Sequence, residues 1–127
     1  MADYVREIRK LIGHAPFQYC TVTVAVLDGN LVLLQKRLDT GEWGLHGGSV
    51  ELGEHPEAAA RRELFEETGL TAGALEPAGV FAGEDHHYFY PNGDETYVID
   101  HLYLKTSLFY GTLVRIKRSS GFDVTGI

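Results

Sequence analysis

The chain has 127 residues, of which 44% are hydrophobic and 23% are charged, and its formal net charge is −7. These values predict one globular domain, residues 1–127, and no apolar run approaches the length of a membrane span. With 11 basic against 18 acidic residues, the balance argues against binding long nucleic acids, which requires a basic surface.

The beginning of the chain lacks the basic-then-apolar order of a signal peptide. The single cysteine, Cys20, has no partner for an internal disulfide and lies in an apolar run. We therefore expect a cytoplasmic protein in which Cys20 is a small core residue.

Apolar residues at helical spacing predict an N-terminal helix within residues 1–13 that ends at Gly13. Residues 19–27 read as a strand, and the turn signal Asp28-Gly29-Asn30 leads into a second strand over residues 31–37. A second helix begins at Pro56, because proline is well suited to the first helical position, and ends near Gly69.

Residues 79–82 read as a strand, and residues 86–90 and 96–104 as a hairpin around the turn at 91–94. The helix between strands indicates an α/β fold, a mixed sheet with helices packed on it. Within the atypical C-terminal segment, residues 111–127, a strand at 112–116 precedes what reads as a loose tail without a closing helix.

The second helix places Glu63, Glu66 and Glu67 at spacings i, i+3 and i+4, on one face and just after a glycine-rich loop. Such near neighbours repel by about 3 kcal/mol per pair at an effective dielectric of about 20. A hard divalent cation with oxygen ligands would remove that cost. Taken alone, the three carboxylates are also typical of a solvated acidic face.

The joint spacing of the glycine, glutamate and arginine residues from Gly48 to Leu70 resembles the Nudix box, Gly-x5-Glu-x7-Arg-Glu-U-x-Glu-Glu-x-Gly-U, with U aliphatic. Every defined position matches, and the resemblance covers roughly residues 18–104. It implies a Nudix-type α/β/α sandwich and a hydrolase that attacks a nucleoside diphosphate linked to another moiety.

The resemblance implies that Mg²⁺ or Mn²⁺ is the cofactor, bound by Glu63, Glu66, Glu67 and the carbonyl of Gly47. Arg62 would hold the carboxylates in place, and Glu54 would orient the helix and Arg62. The remaining implied substrate-binding residues are Gly48, Trp43 and Arg37.

The general base stays open between the box, at Glu63 or Glu66, and a distant loop, where Glu84 and Glu95 are the leading candidates. His46 stands where the family commonly has proline, and we interpret it as a tolerated loop substitution rather than a catalytic residue.

Adjacent residues on a strand point to opposite faces, so His86 and His87 are not expected to bind one ion. For residues 88–90 core packing is favoured over stacking on a base, whereas Trp43 is equally compatible with lining the substrate pocket.

The expected substrate is a small nucleotide, either a nucleoside triphosphate or a nucleotide-sugar, and no residue separates the two. A non-catalytic nucleotide sensor is the alternative function, although an intact box argues for catalysis. Hydrolysis of RNA 5′ ends would require a basic surface that the composition does not supply. Because no closing helix is evident, either a homodimer covers the exposed sheet edge or the chain is truncated and poorly active.

Overall fold

A computed structural model describes residues 3–37, 41–106, 116–119 and 122–126, with side chains for residues 3–36 and 41–106. This part of the chain contains two α-helices, α1 (Tyr4–Ile12) and α2 (Pro56–Thr68), and one 3-10 helix (Glu84–His86). It also contains nine strands: β1 (Phe17–Asp28), β2 (Leu31–Arg37), β3 (Trp43–Gly44), β4 (His46–Ser49), β5 (Glu76–Phe81), β6 (His87–Phe89), β7 (Glu95–Thr106), β8 (Ile116–Ser119) and β9 (Phe122–Gly126). In the described residues neither helix has the length and apolar character that crossing a membrane requires.

Both helices begin and end where the sequence predicts. In α1 the Asp3 side chain accepts a hydrogen bond from the Arg6 N–H at 3.1 Å, and the helix ends at Gly13. Helix α2 begins with Pro56 and ends at Gly69, which adopts the left-handed conformation (φ 77°) that residues other than glycine disfavour.

Strand β1 is the centre of the mixed sheet. It pairs in parallel with β7 along nearly its whole length, whereas it pairs with β2 only at the hairpin turn. The divergence of β1 and β2 leaves room for β4, which pairs antiparallel with residues 21–24 of β1. The glycine-rich strand β4 therefore lies beside the middle of β1.

The two faces of β1 have different partners. Val22, Val24 and Val26 are buried against α2, which contributes the buried side chains of Ala60 and Leu64. The alternate residues of β1 lie on the opposite face, where Phe17 contacts the Tyr4 ring of α1 at 6.1 Å between centroids. A helix therefore packs on each face of the sheet, as an α/β/α sandwich requires.

The hydrogen bonds of Arg9 attach α1 to the sheet. Its guanidinium donates to the Glu95 carbonyl at 2.7 Å and to the Thr96 hydroxyl at 3.1 Å, and it lies over the Phe17 ring. Arg9 therefore joins α1 to the start of β7.

Three sequence-based expectations need correction. Tyr88, Phe89 and Tyr90 are 44%, 70% and 46% exposed, so core packing was the wrong interpretation. Cys20 is half-buried and lies outside the core cluster. Residues 116–119 and 122–126 form a β-hairpin whose second strand pairs with β2, rather than the loose tail expected. Most of the strand predicted at 112–116 lies outside the described residues.

Candidate active site

Arg62 is the centre of the polar network at the start of the site. Its Nε donates to Glu54 Oε2 at 2.8 Å and its Nη2 donates to Glu54 Oε1 at 3.0 Å. These two parallel bonds fix the guanidinium plane relative to the carboxylate plane. The same Nη2 donates to the Ser49 carbonyl at 3.0 Å. These bonds hold the pKa of Glu54 below its usual value and fasten α2 to the loop that precedes it.

The remaining Arg62 nitrogen reaches two more carboxylates of the same helix. Nη1 donates to Glu63 Oε1 at 2.8 Å and to Glu66 Oε2 at 3.3 Å. The pKa of Arg62 is raised, first by its hydrogen bond to Glu54, so the guanidinium stays charged. The Arg62 guanidinium thus contacts three acidic side chains of the box, those of Glu54, Glu63 and Glu66.

Glu67 is held from the other side. The Gly47 N–H donates to Glu67 Oε2 at 3.1 Å and the Gln35 amide donates to Glu67 Oε1 at 3.3 Å. Burial, followed by the charge of Glu63, raises the pKa of Glu67 to about 8. Burial likewise raises the pKa of Glu63. Negative charge on these two side chains is therefore costly without a compensating cation.

The two glycines of β4 are required by close packing. A Cβ on Gly48 would lie 2.4 Å from Glu63 Cδ, and a Cβ on Gly47 would lie 2.1 Å from the Val22 carbonyl oxygen. The absence of side chains lets the Glu63 carboxylate lie directly against the β4 backbone. We call the backbone of Gly47 and Gly48, together with the carboxylates of Glu63 and Glu67 that lie against it, the glycine cradle.

The donor set fits a hard divalent cation by its chemistry, because three carboxylates and a backbone carbonyl are the oxygen ligands that Mg²⁺ prefers. Within the described residues, no three His, Cys, Asp or Glu side chains converge as a formed metal site requires. The reason lies in Arg62, which draws Glu63 and Glu66 toward itself while Gly47 and Gln35 hold Glu67.

A cavity of about 480 Å³ opens beside this cradle. Its lining comes from both sides of the divergence between β1 and β2, from the β3–β4 loop and from β7: Thr21, Val22, Thr23, Gln35, Glu42, Trp43, Gly44, Leu45, His46, Gly47, Gly48, Glu67, His86, Tyr88, Val98 and Asp100. The volume lies within the range of small-molecule sites, about 300–1,000 Å³. Glu67 and the two glycines thus lie at the edge of a cavity of the size that small-molecule sites have.

Several buried polar atoms at this cavity have no protein hydrogen-bond partner among the described residues. They are both ring nitrogens of His46, Gln35 Oε1 and His86 Nδ1. His46 is fully buried in β4, not in a loop as expected, and burial lowers its pKa to about 4, so its ring is neutral at pH 7. Since buried polar groups are normally hydrogen-bonded, each of these atoms is an energetic cost in the wall of the cavity.

Glu84 and Glu95 belong to a different cluster. Glu95 Oε2 lies 2.9 Å from His87 Nε2, and the charges of Glu84 and Glu95 both contribute to a raised pKa of Tyr97 after the larger effect of burial. The His87 ring stacks on the Tyr97 ring at 4.1 Å between centroids. These contacts do not bring Glu84 or Glu95 to the box carboxylates.

Trp43 and Gly48, two of the residues predicted to bind substrate, line the cavity. The Trp43 ring is 49% exposed and lies under the Lys36 ammonium group at 5.8 Å. Arg37 ends β2, and its side chain lies outside the described part of the chain.

Sequence analysis missed Gln35 and the group formed by Thr21, Thr23 and Asp100, all of which line the cavity. A signal exists for Gln35 and Asp100, because each directly follows an apolar run in its strand. Alternation along β1 places Thr21 and Thr23 on the face opposite its buried valines. What the sequence could not supply is the pairing of β1 with β7 that brings Asp100 beside them.

The profile of the NUDIX domain matches residues 19–115. An "Oxidized purine nucleoside triphosphate hydrolase" of Danio rerio is 43% identical over 79 residues, which cover 54% of this chain and 51% of that protein. An "RNA pyrophosphohydrolase" of Sphingopyxis alaskensis is 38% identical over 78 residues, covering 59% of this chain and 47% of that protein. The chain thus spans about half the length of these curated relatives.

A solved structure from Francisella tularensis has the same fold, with a TM-score of 0.70 and 30% identity over 97% of this chain and 38% of that one. That protein is described as a bifunctional NMN adenylyltransferase/ADP ribose pyrophosphatase complexed with AMP and a Mn ion.

Proposed function

Because this chain belongs to the NUDIX family, we propose that it hydrolyses the diphosphate linkage of a free nucleotide, either a nucleoside triphosphate or a nucleotide-sugar. The observation that carries the proposal is the meeting of the box carboxylates with the backbone of Gly47 and Gly48 at the edge of the cavity. A polyphosphate seated there would lie against the glycine backbone of β4, with the box carboxylates beside it.

The cofactor in this proposal is Mg²⁺ or Mn²⁺, held by Glu63, Glu66, Glu67 and the Gly47 carbonyl. When bound, the cation lowers the pKa of a water molecule and neutralises charge on the phosphate oxygens. The raised pKa values of Glu63 and Glu67 support this assignment, since buried carboxylates that repel one another are stabilised by a cation.

Arg62 and Glu54 act as positioning residues. Glu54 occupies two nitrogens of the guanidinium, so Arg62 can direct only its third toward Glu63 and Glu66. These bonds restrict the rotamers of Glu63 and Glu66 in the metal-free chain, and a bound cation would compete with Arg62 for both carboxylates.

The general base is assigned to the box, with Glu63 as the first candidate and Glu66 as the second. Glu63 lies against the backbone of Gly48, which lines the cavity, so its carboxylate is near a substrate seated there. Glu84 and Glu95 are less favoured because they cluster with His87 and Tyr97 instead.

The negative net charge supports free nucleotides over RNA 5′ ends, because RNA binding gains affinity from basic side chains. A cytoplasmic location and a homodimer complete the proposal, the first from the sequence composition and the second from the sheet edge at β8.

The test is release of phosphate and pyrophosphate from nucleoside triphosphates, nucleotide-sugars, dinucleotides and 5′-triphosphate RNA, each with Mg²⁺, with Mn²⁺ and with EDTA. We expect metal-dependent cleavage of one class of small nucleotide. Glu66→Gln should remove most of the turnover while the thermal unfolding temperature is retained.

Glu57→Gln, a substitution in the first turn of the same helix, is the matched control and should stay active. Cleavage that persists in EDTA, or full activity of Glu66→Gln, contradicts the metal assignment. A folded chain that binds nucleotides but cleaves none of them is the sensor named above.

A further inference from the structure

The cavity contains a carboxylate for which the proposed hydrolysis has no use. Asp100 lies on β7, and each of its oxygens accepts one hydroxyl hydrogen bond, Oδ1 from Thr21 at 2.7 Å and Oδ2 from Thr23 at 2.8 Å. All three residues line the cavity. Because rotation of the carboxylate would break both bonds, its plane and direction are fixed.

Asp100 lies at the end of the cavity away from the glycine cradle. In the sheet Asp100 pairs with Thr21 of β1, and residues 21 and 23 of β1 pair with Ser49 and Gly47 of β4. Since neighbouring strands lie about 4.8 Å apart, the Asp100 backbone is about 10 Å across the sheet from β4. A ligand with phosphates at the cradle therefore directs its other end toward Asp100.

The chemistry of Asp100 selects the group that can lie there. An ionised carboxylate only accepts hydrogen bonds, and it repels phosphate, so its complement is a neutral group with N–H or O–H donors. The two threonine bonds use one acceptor position on each oxygen, and each oxygen keeps another. A pair of adjacent donors on one planar edge matches two oxygens held in one plane.

Aromatic side chains at the rim favour a nucleobase as the planar group. Trp43 is 49% exposed and Tyr88 is 44% exposed, and both line the same cavity as Asp100. Stacking on such rings stabilises a base by about 1–3 kcal/mol, and a ribose has no flat face to offer them.

We propose that Asp100, positioned by Thr21 and Thr23, is the specificity-determining residue of the cavity and accepts hydrogen bonds from a nucleobase edge with two adjacent N–H donors. The guanine edge, with its ring N–H beside the 2-amino group, has this arrangement. Hypoxanthine lacks the 2-amino group. The inference rests on the proposed function only in placing the phosphates at the box.

The test compares dGTP, dITP and GTP with the wild-type chain and Mg²⁺. We expect kcat/KM for dGTP to exceed that for dITP by about 10-fold or more, the discrimination typical of a paired contact to a base edge. GTP and dGTP should differ little. In Asp100→Asn one acceptor becomes a donor, so the preference for dGTP over dITP should fall to near unity.

Asp28→Asn is the matched control, because Asp28 is also a half-buried aspartate, at the far end of β1 and outside the cavity lining. Its dGTP preference should equal that of the wild type. Thr23→Val keeps the carboxylate and removes one of the two bonds that fix it, so an intermediate preference is expected even if Asp100→Asn folds poorly.

Equal kcat/KM for dGTP and dITP in the wild type, or an unchanged preference in a folded Asp100→Asn, overturns the inference. A large preference for GTP over dGTP assigns the contact to the sugar and overturns it as well. If the wild type hydrolyses none of the three and none of the other small nucleotides in the wider panel, the proposed function fails. The Kd ratio of dGTP to dITP, measurable when nothing is turned over, then decides the role of Asp100.

Discussion

Gly48→Ala tests whether the Glu63 carboxylate must lie against β4. The added Cβ would lie 2.4 Å from both Glu63 Cδ and Oε1, whereas ordinary contacts begin at 3.4 Å, so the carboxylate must retreat by about 1 Å. That movement lengthens the 2.8 Å bond from Arg62 Nη1 beyond hydrogen-bonding range. Since a misplacement of about 1 Å in a catalytic group costs on the order of 100-fold, we expect kcat/KM to fall by that factor.

The stability of this variant should change much less than its activity. Alanine makes the unfolded chain less flexible, a gain of about 0.4–1 kcal/mol, which partly offsets the loss of one charge-assisted bond worth about 1.5–3 kcal/mol. Kinetics and thermal unfolding of the variant are compared with those of Gly44→Ala, whose added Cβ would meet nothing within 4 Å. Wild-type kcat/KM in Gly48→Ala would refute the reasoning. Because Gly44 also lines the cavity, Gly44→Ala is compared by kcat, and an equal loss of kcat in that variant would refute the reasoning as well.

Three further outcomes are expected. Between pH 4.5 and about 8 the folded metal-free chain retains a proton on Glu67 that the unfolded chain releases, so its stability should fall as pH rises. The free energy of unfolding should fall by at most about 1.4 kcal/mol per pH unit. Urea unfolding in EDTA at pH 5 and pH 8 should show this fall for the wild type and a smaller one for Glu67→Gln. Arg62→Lys loses the two-bond contact with Glu54, so we expect about 1–3 kcal/mol of destabilisation and slower turnover, whereas Arg61→Lys, in an exposed pair, should show neither effect by the same assays. Asp3→Ala removes the N-cap of α1 and should cost about 1 kcal/mol in urea unfolding while kcat stays unchanged; a large loss of kcat would mean that α1 acts on the site.

Local signals in the sequence predicted the elements around the box well. Pro56 and Gly69 mark the two ends of α2, and the turn at Gly29 marks the β1–β2 hairpin, because each acts through the backbone of its own neighbours. The i, i+3, i+4 spacing likewise placed Glu63, Glu66 and Glu67 on one helix face.

What local signals could not supply is the set of contacts between distant segments. No local signal predicted that His46 would be buried with no hydrogen-bond partner among the described residues, because its burial depends on how β4 packs beside β1. Residues 88–90 read as core from their composition, yet they lie exposed because their short strand is at the margin of the sheet. Glu95 was a candidate base because the residues around it in the sequence carry no signal for its hydrogen bond with His87.

The parallel pairing of β1 with β7 also has a consequence for the order of folding. Thr21 and Asp100 are 79 residues apart in the chain, and the segment between them includes the complete box helix. Closing so long a loop costs conformational entropy before the contacts between β1 and β7 can form. This step should therefore be slow compared with formation of the β1–β2 hairpin. Until β7 arrives, β1 exposes an unpaired edge during refolding, and such an edge is a route to aggregation.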